Sequence, residues 1–97
     1  MKLKIVRQKT DNDGLHFKLT GEMTIYSAAK LKDLMIKELK SCSGITMDLA
    51  EVDEADTSGF QLLLFLKREA DMLGKNFKIT EAGSRLKSIF TLYKETI

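Results

Sequence analysis

The sequence predicts an α/β fold (α+β in some schemes): a mixed four-stranded sheet with helices on one face, in the order β-β-α-β-α-β-α. Three observations lead there. Short runs around Ile5, Phe17, Met47 and Phe77 alternate apolar and polar residues, the period of a half-buried strand. Stretches with apolar residues at three- and four-residue spacing separate the later runs, and strand–helix–strand units require parallel pairing through right-handed crossovers. The strict alternation is the third observation, since a sheet covered on both faces shows near-continuous apolar strands.

The chain opens with a hairpin. Leu3 and Ile5, then Leu15, Phe17 and Leu19, alternate with polar residues, and Asp11-Asn12-Asp13-Gly14 between them is a turn cluster. That cluster lacks the later carboxylates of a calcium loop. Gly21-Glu22-Met23-Thr24-Ile25-Tyr26 links the hairpin to a helix that Ser27 can cap, with Leu31, Leu34, Met35 and Leu39 on its apolar stripe. Lys30, Lys32, Asp33, Lys37 and Lys40 mark its wet face. Ser41-Cys42-Ser43-Gly44 ends the helix, and Ile45, Met47 and Leu49 alternate in a third strand.

An acidic segment follows, with Asp48, Glu51, Asp53, Glu54 and Asp56 leading into the long apolar run Leu62-Leu63-Leu64-Phe65-Leu66. A helix that starts near Ser58 and buries most of its circumference is expected there. Ser58 and Gln61 have the spacing of a capping box, which leaves Thr57 just outside the first turn, in solvent, at a helix end that favours negative charge. Gly74 supplies the stop, Asn76–Thr80 alternates as a fourth strand, and Ser84 can cap a last helix with Leu86, Ile89, Phe90 and Tyr93 on one stripe.

Composition narrows the function. The chain has 97 residues, a net charge of +2 and a single cysteine, so one domain without disulfides in a reducing cytoplasm is expected. Its lysines are scattered rather than stacked in a basic stripe, which argues against nucleic acid. No apolar run approaches a membrane span, and Met1-Lys2-Leu3-Lys4-Ile5-Val6-Arg7 is too short in its apolar part for a signal peptide. Catalysis fits poorly. The only histidine, His16, lies in a strand and faces away from the core side, there is no zinc set, and no glycine-rich phosphate loop occurs. The acidic segment is the one place that could hold Mg²⁺, although carboxylates at helix N-termini serve the dipole alone. Neither a metal nor a cofactor is expected.

Gly21-Glu22-Met23-Thr24-Ile25-Tyr26-Ser27-Ala28 together with Asp56-Thr57-Ser58-Gly59 resembles the STAS domain of bacterial anti-sigma factor antagonists. The resemblance covers nearly the whole chain and implies a single STAS domain over residues 1–97. In that family the Ser or Thr directly after the motif aspartate is phosphorylated by a partner serine kinase that is also the anti-sigma factor. The unmodified antagonist binds that kinase and frees the sigma factor. By position the phosphoacceptor is Thr57, with Ser58 the second choice, and the partner-binding residues are Thr24, Tyr26, Asp56, Thr57, Ser58, Gly59 and Phe60. Gly59 is read as admitting the partner close to the helix start. The family often has Asp where this chain has Thr24. Similar small STAS proteins serve chemotaxis kinases or ABC-type lipid transport complexes, where a Thr in the same motif faces the ATPase. The resemblance thus implies a bacterial, cytoplasmic, monomeric binding module without turnover of its own, any ATP belonging to the partner.

Overall fold

A computed structural model describes residues 3–93. The elements run β1 (Lys4–Lys9), a 3-10 turn (Asp11–Asp13), β2 (Leu15–Met23), α1 (Ile25–Ser41), β3 (Gly44–Ala55), α2 (Thr57–Met72), β4 (Asn76–Ala82) and α3 (Ser84–Tyr93). They form one four-stranded sheet in the order β1-β2-β3-β4. β1 pairs antiparallel with β2, while β2–β3 and β3–β4 are parallel, as the crossover helices require. This is the expected mixed sheet and element order. The expectations for Met1, Lys2 and the Tyr93 side chain lie outside the described residues.

Alternation sends Leu15, Phe17, Leu19 and Met23 of β2 to one face, where Ile45, Met47, Leu49 and Val52 of β3 join them. Onto this face pack Leu31, Met35 and Leu39 of α1, Leu62, Leu63, Leu66 and Ala70 of α2, and Leu86 of α3. His16 lies on the opposite face, its Nδ1 2.7 Å from the Thr46 hydroxyl oxygen. Burying a leucine fully contributes about 1.5–3 kcal/mol, so this contiguous layer is the main favourable contribution to the fold.

Three local expectations are corrected. α1 begins at Ile25, not after Ser27: Thr24 is the cap, its Oγ1 accepting from the Tyr26 N–H at 3.4 Å, and Ser27 reciprocates by accepting from the Thr24 N–H at 3.1 Å. Leu34 is 37% exposed and flanks the buried stripe. The segment before α2 is strand rather than acidic loop, because β2 continues to Met23 and offers Gly21, Glu22 and Met23 as partners to Val52, Glu54 and Ala55. Two register shifts, one between Lys18 and Thr20 and one between Gly21 and Glu22, absorb the extra residues of β3.

The ends of the other helices follow the chain's turn chemistry. Gly74 closes α2 with φ +70, a left-handed conformation that costs glycine little, and its N–H donates to the Asp71 carbonyl. Ser84 is the first residue of α3, not its cap, and the Gly83 carbonyl accepts from the Lys87 N–H at 3.0 Å. Among the described residues no helix is long and apolar enough to cross a membrane.

Candidate functional site

Parallel pairing puts the C-terminal ends of β2 and β3 side by side, with Met23 opposite Ala55. Each strand runs directly into a helix, so α1 and α2 start next to one another. Asp56 joins them. Its Oδ1 accepts from the N–H groups of Ser58 at 2.9 Å and Gly59 at 3.3 Å, which makes Asp56 the cap of α2. Its Oδ2 accepts from the N–H of Ile25, the first residue of α1, at 3.1 Å. The Ser58–Gln61 capping box is therefore replaced by an Asp56 cap, and Thr57 is the first residue inside the helix rather than outside it.

Gly59 makes this approach possible. A Cβ built on it would lie 2.4 Å from the Met23 carbonyl oxygen, so any side chain would push α2 off the end of β2. Its smallness thus serves an internal contact. Phe60 is likewise buried, its ring 5.6 Å from that of Phe90 in α3. Gly59 and Phe60 shape the site from beneath.

Above them lies an open surface. Thr57 is exposed, and among the described residues its hydroxyl has no hydrogen-bond partner. Tyr26 is 94% exposed and Ile25 65% exposed, an unusual pair of large side chains to leave in water at one helix start. Ser58, half-buried, lines a groove of about 380 Å³ between α1 and α2 that Ile25, Ala28, Lys32, Gln61 and Phe65 complete. Lys32 reaches across α2 with its Nζ 4.4 Å from the Phe65 ring centre. Glu54 at the end of β3 pairs with Arg85 of α3 at 3.3 Å; both are more than half exposed, so the pair contributes little stability.

The structure thus brings Thr24, Tyr26, Asp56, Thr57 and Ser58 together, with Thr24 and Asp56 turned inward to capping. Ile25 was missed by sequence reasoning. The available signal was an apolar residue six residues ahead of Leu31, a spacing that does not extend the buried stripe. Among the described residues no group of three or more His, Cys, Asp or Glu side chains could hold a metal. What the arrangement offers is an accessible hydroxyl beside two exposed hydrophobic side chains.

Residues 6–94 match the family described as Mlab, STAS domain. No curated protein matches the sequence. Among solved structures, the anti-sigma factor antagonist SpoIIAA in its unphosphorylated form superposes with a TM-score of 0.80 at 13% identity, covering 94% of this chain and 81% of that one. The Bacillus cell fate determinant SpoIIAA in the phosphorylated form gives 0.77 at 13%, covering 93% and 83%. A putative anti-sigma factor antagonist from Thermotoga maritima gives 0.83 at 16%, covering 93% and 78%. At these identities the likeness establishes the fold.

Proposed function

Because this chain belongs to the Mlab, STAS domain family, we propose that it is a non-enzymatic binding module that engages a protein partner through the starts of α1 and α2. In this reading the partner is a serine kinase that is also an anti-sigma factor, and phosphorylation of Thr57 switches binding off. The observation that carries it is the exposed, unbonded Thr57 hydroxyl beside the uncovered Ile25 and Tyr26. A phosphate there adds roughly −1.5 to −2 charges. Its natural receptors in the first turn, the N–H groups of Ser58 and Gly59, already bond Asp56, so the new charge faces a carboxylate and solvent. A partner surface that meets a neutral hydroxyl would have to desolvate that charge without a partner for it, at a cost of several kcal/mol. Ser58, half-buried in the groove, is the second choice of acceptor.

A second reading keeps the surface and omits the switch: a STAS subunit of a chemotaxis system, or of an ABC-type lipid transport complex with an ATPase, meeting its partner through Asp56-Thr57-Ser58-Gly59. The filled N–H groups of Ser58 and Gly59 favour it, since no receptor is prepared for a phosphate. Pull-down from cells with and without ATP, followed by mass spectrometry of Thr57, separates the two. Recovery of a kinase and phosphate on Thr57 supports the first. An unmodified Thr57 bound to an ATPase or a chemotaxis component supports the second and overturns the switch.

A further inference from the structure

Among the described residues, the Asp56 carboxylate is the side chain whose hydrogen bonds join the first backbone N–H of α1 to the first turn of α2, two segments 31 residues apart. Both oxygens sit on one short side chain with two torsions, so a rotation that takes Oδ1 away from the Ser58 N–H also shifts Oδ2 relative to the Ile25 N–H. Thr57, the neighbour of Asp56, points to solvent beside the same N–H groups. We propose that Asp56 is a positioning residue that holds Ile25 and Tyr26 in place relative to Thr57, and that a negative charge at Thr57 loosens this hold.

A second anion at the first helical position competes for the same donors, because helix N-termini favour any nearby negative charge. It also repels Asp56 directly. Displacing Oδ1 from Ser58 and Gly59 releases the Ile25 N–H, and the start of α1, otherwise held by the Thr24 cap, becomes free to shift. Ile25 and Tyr26 sit in that first turn and are exposed, so a change in Thr57 charge alters the neighbouring contact surface as well as the residue itself. Asp56 thereby acts on the shape of this surface through Ile25 and Tyr26. This deepens the reading above and rests on it for the identity of the surface, but the loosening itself is a property of the isolated chain.

The test is amide hydrogen exchange by NMR on the full chain, comparing the parent with Asp56→Asn, Thr57→Glu and the neutral control Thr57→Gln. The Lys75 N–H, bonded to the Ala70 carbonyl at the far end of α2, serves as the control for local opening remote from Asp56. Asn keeps one acceptor oxygen for the α2 cap and replaces the other by a donor that cannot accept from Ile25. Exchange at Ile25 is expected to rise roughly tenfold in Asp56→Asn, the loss of one hydrogen bond to a charged group. It rises in the same direction in Thr57→Glu, stays at the parent rate in Thr57→Gln, and Lys75 is unchanged throughout. Ile25 exchange at the parent rate in Asp56→Asn overturns the bridge, and at the parent rate in Thr57→Glu alone overturns the coupling. If Thr57→Glu loosens Ile25 while partner binding is unaffected, this inference stands and the phosphorylation switch falls.

Discussion

The two ends of the sheet finish in different ways. At the end opposite Thr57, Asn12 and Asp13 adopt positive φ in a tight turn, the Ser43 N–H donates to the Asp13 carbonyl at 3.0 Å, and the Ser43 hydroxyl donates to the Asn12 carbonyl at 2.6 Å. Lys75 adds a bond from its Nζ to the Leu39 carbonyl at the end of α1. Hydroxyl, ammonium and backbone are all spent on one another. At the other end the backbone is equally well satisfied, through Asp56 and Thr24, but the Thr57 hydroxyl, Ile25 and Tyr26 are left over. A closed turn uses its polar groups to hold itself, whereas the Thr57 end holds itself with the half-buried acceptors Asp56 and Thr24 and leaves distinctive side chains outside. That contrast marks the second end as the place to look for a partner.

Substitutions should separate the two ends by what they cost. Gly59→Ala is expected to be the most damaging, about 3 kcal/mol in urea denaturation, because the clashing atom is the Met23 backbone carbonyl and cannot rotate away. Asp56→Ala should cost about 2 kcal/mol through loss of the α2 cap and of the bond from Ile25. Ser43→Ala, at the closed end, should cost about 1 kcal/mol for one hydrogen bond. Thr57→Ala should stay within about 0.5 kcal/mol of the parent, as an exposed hydroxyl without a bond predicts. A Thr57→Ala loss equal to that of Ser43→Ala would erase the distinction between the ends.

Much of this was legible from residue order. Strict alternation in β2 and β4 and the one-sided stripe of α1 gave the mixed sheet with helices on one face, because burial acts on every second or every third to fourth residue regardless of distant contacts. The helix starts were less legible. Thr24 against Ser27, and Asp56 against Ser58, are all competent caps, and the choice depends on how far β2 and β3 stay paired. That pairing is a long-range property. The Asp56–Ile25 bond has no local signature at all, since it spans two crossover units. Thr57 was found as an exposed hydroxyl even though its cap was misassigned, because both arrangements leave it at the solvent edge of the first turn.

The most direct measurement is the affinity of the protein recovered by pull-down for the parent chain, Thr57→Ala and Thr57→Glu, each first shown to be folded. The expected result is that Thr57→Ala binds like the parent while Thr57→Glu binds about a hundredfold more weakly, a difference of about 2.7 kcal/mol. Equal affinity for all three would contradict a partner surface at the Thr57 end that is controlled by charge.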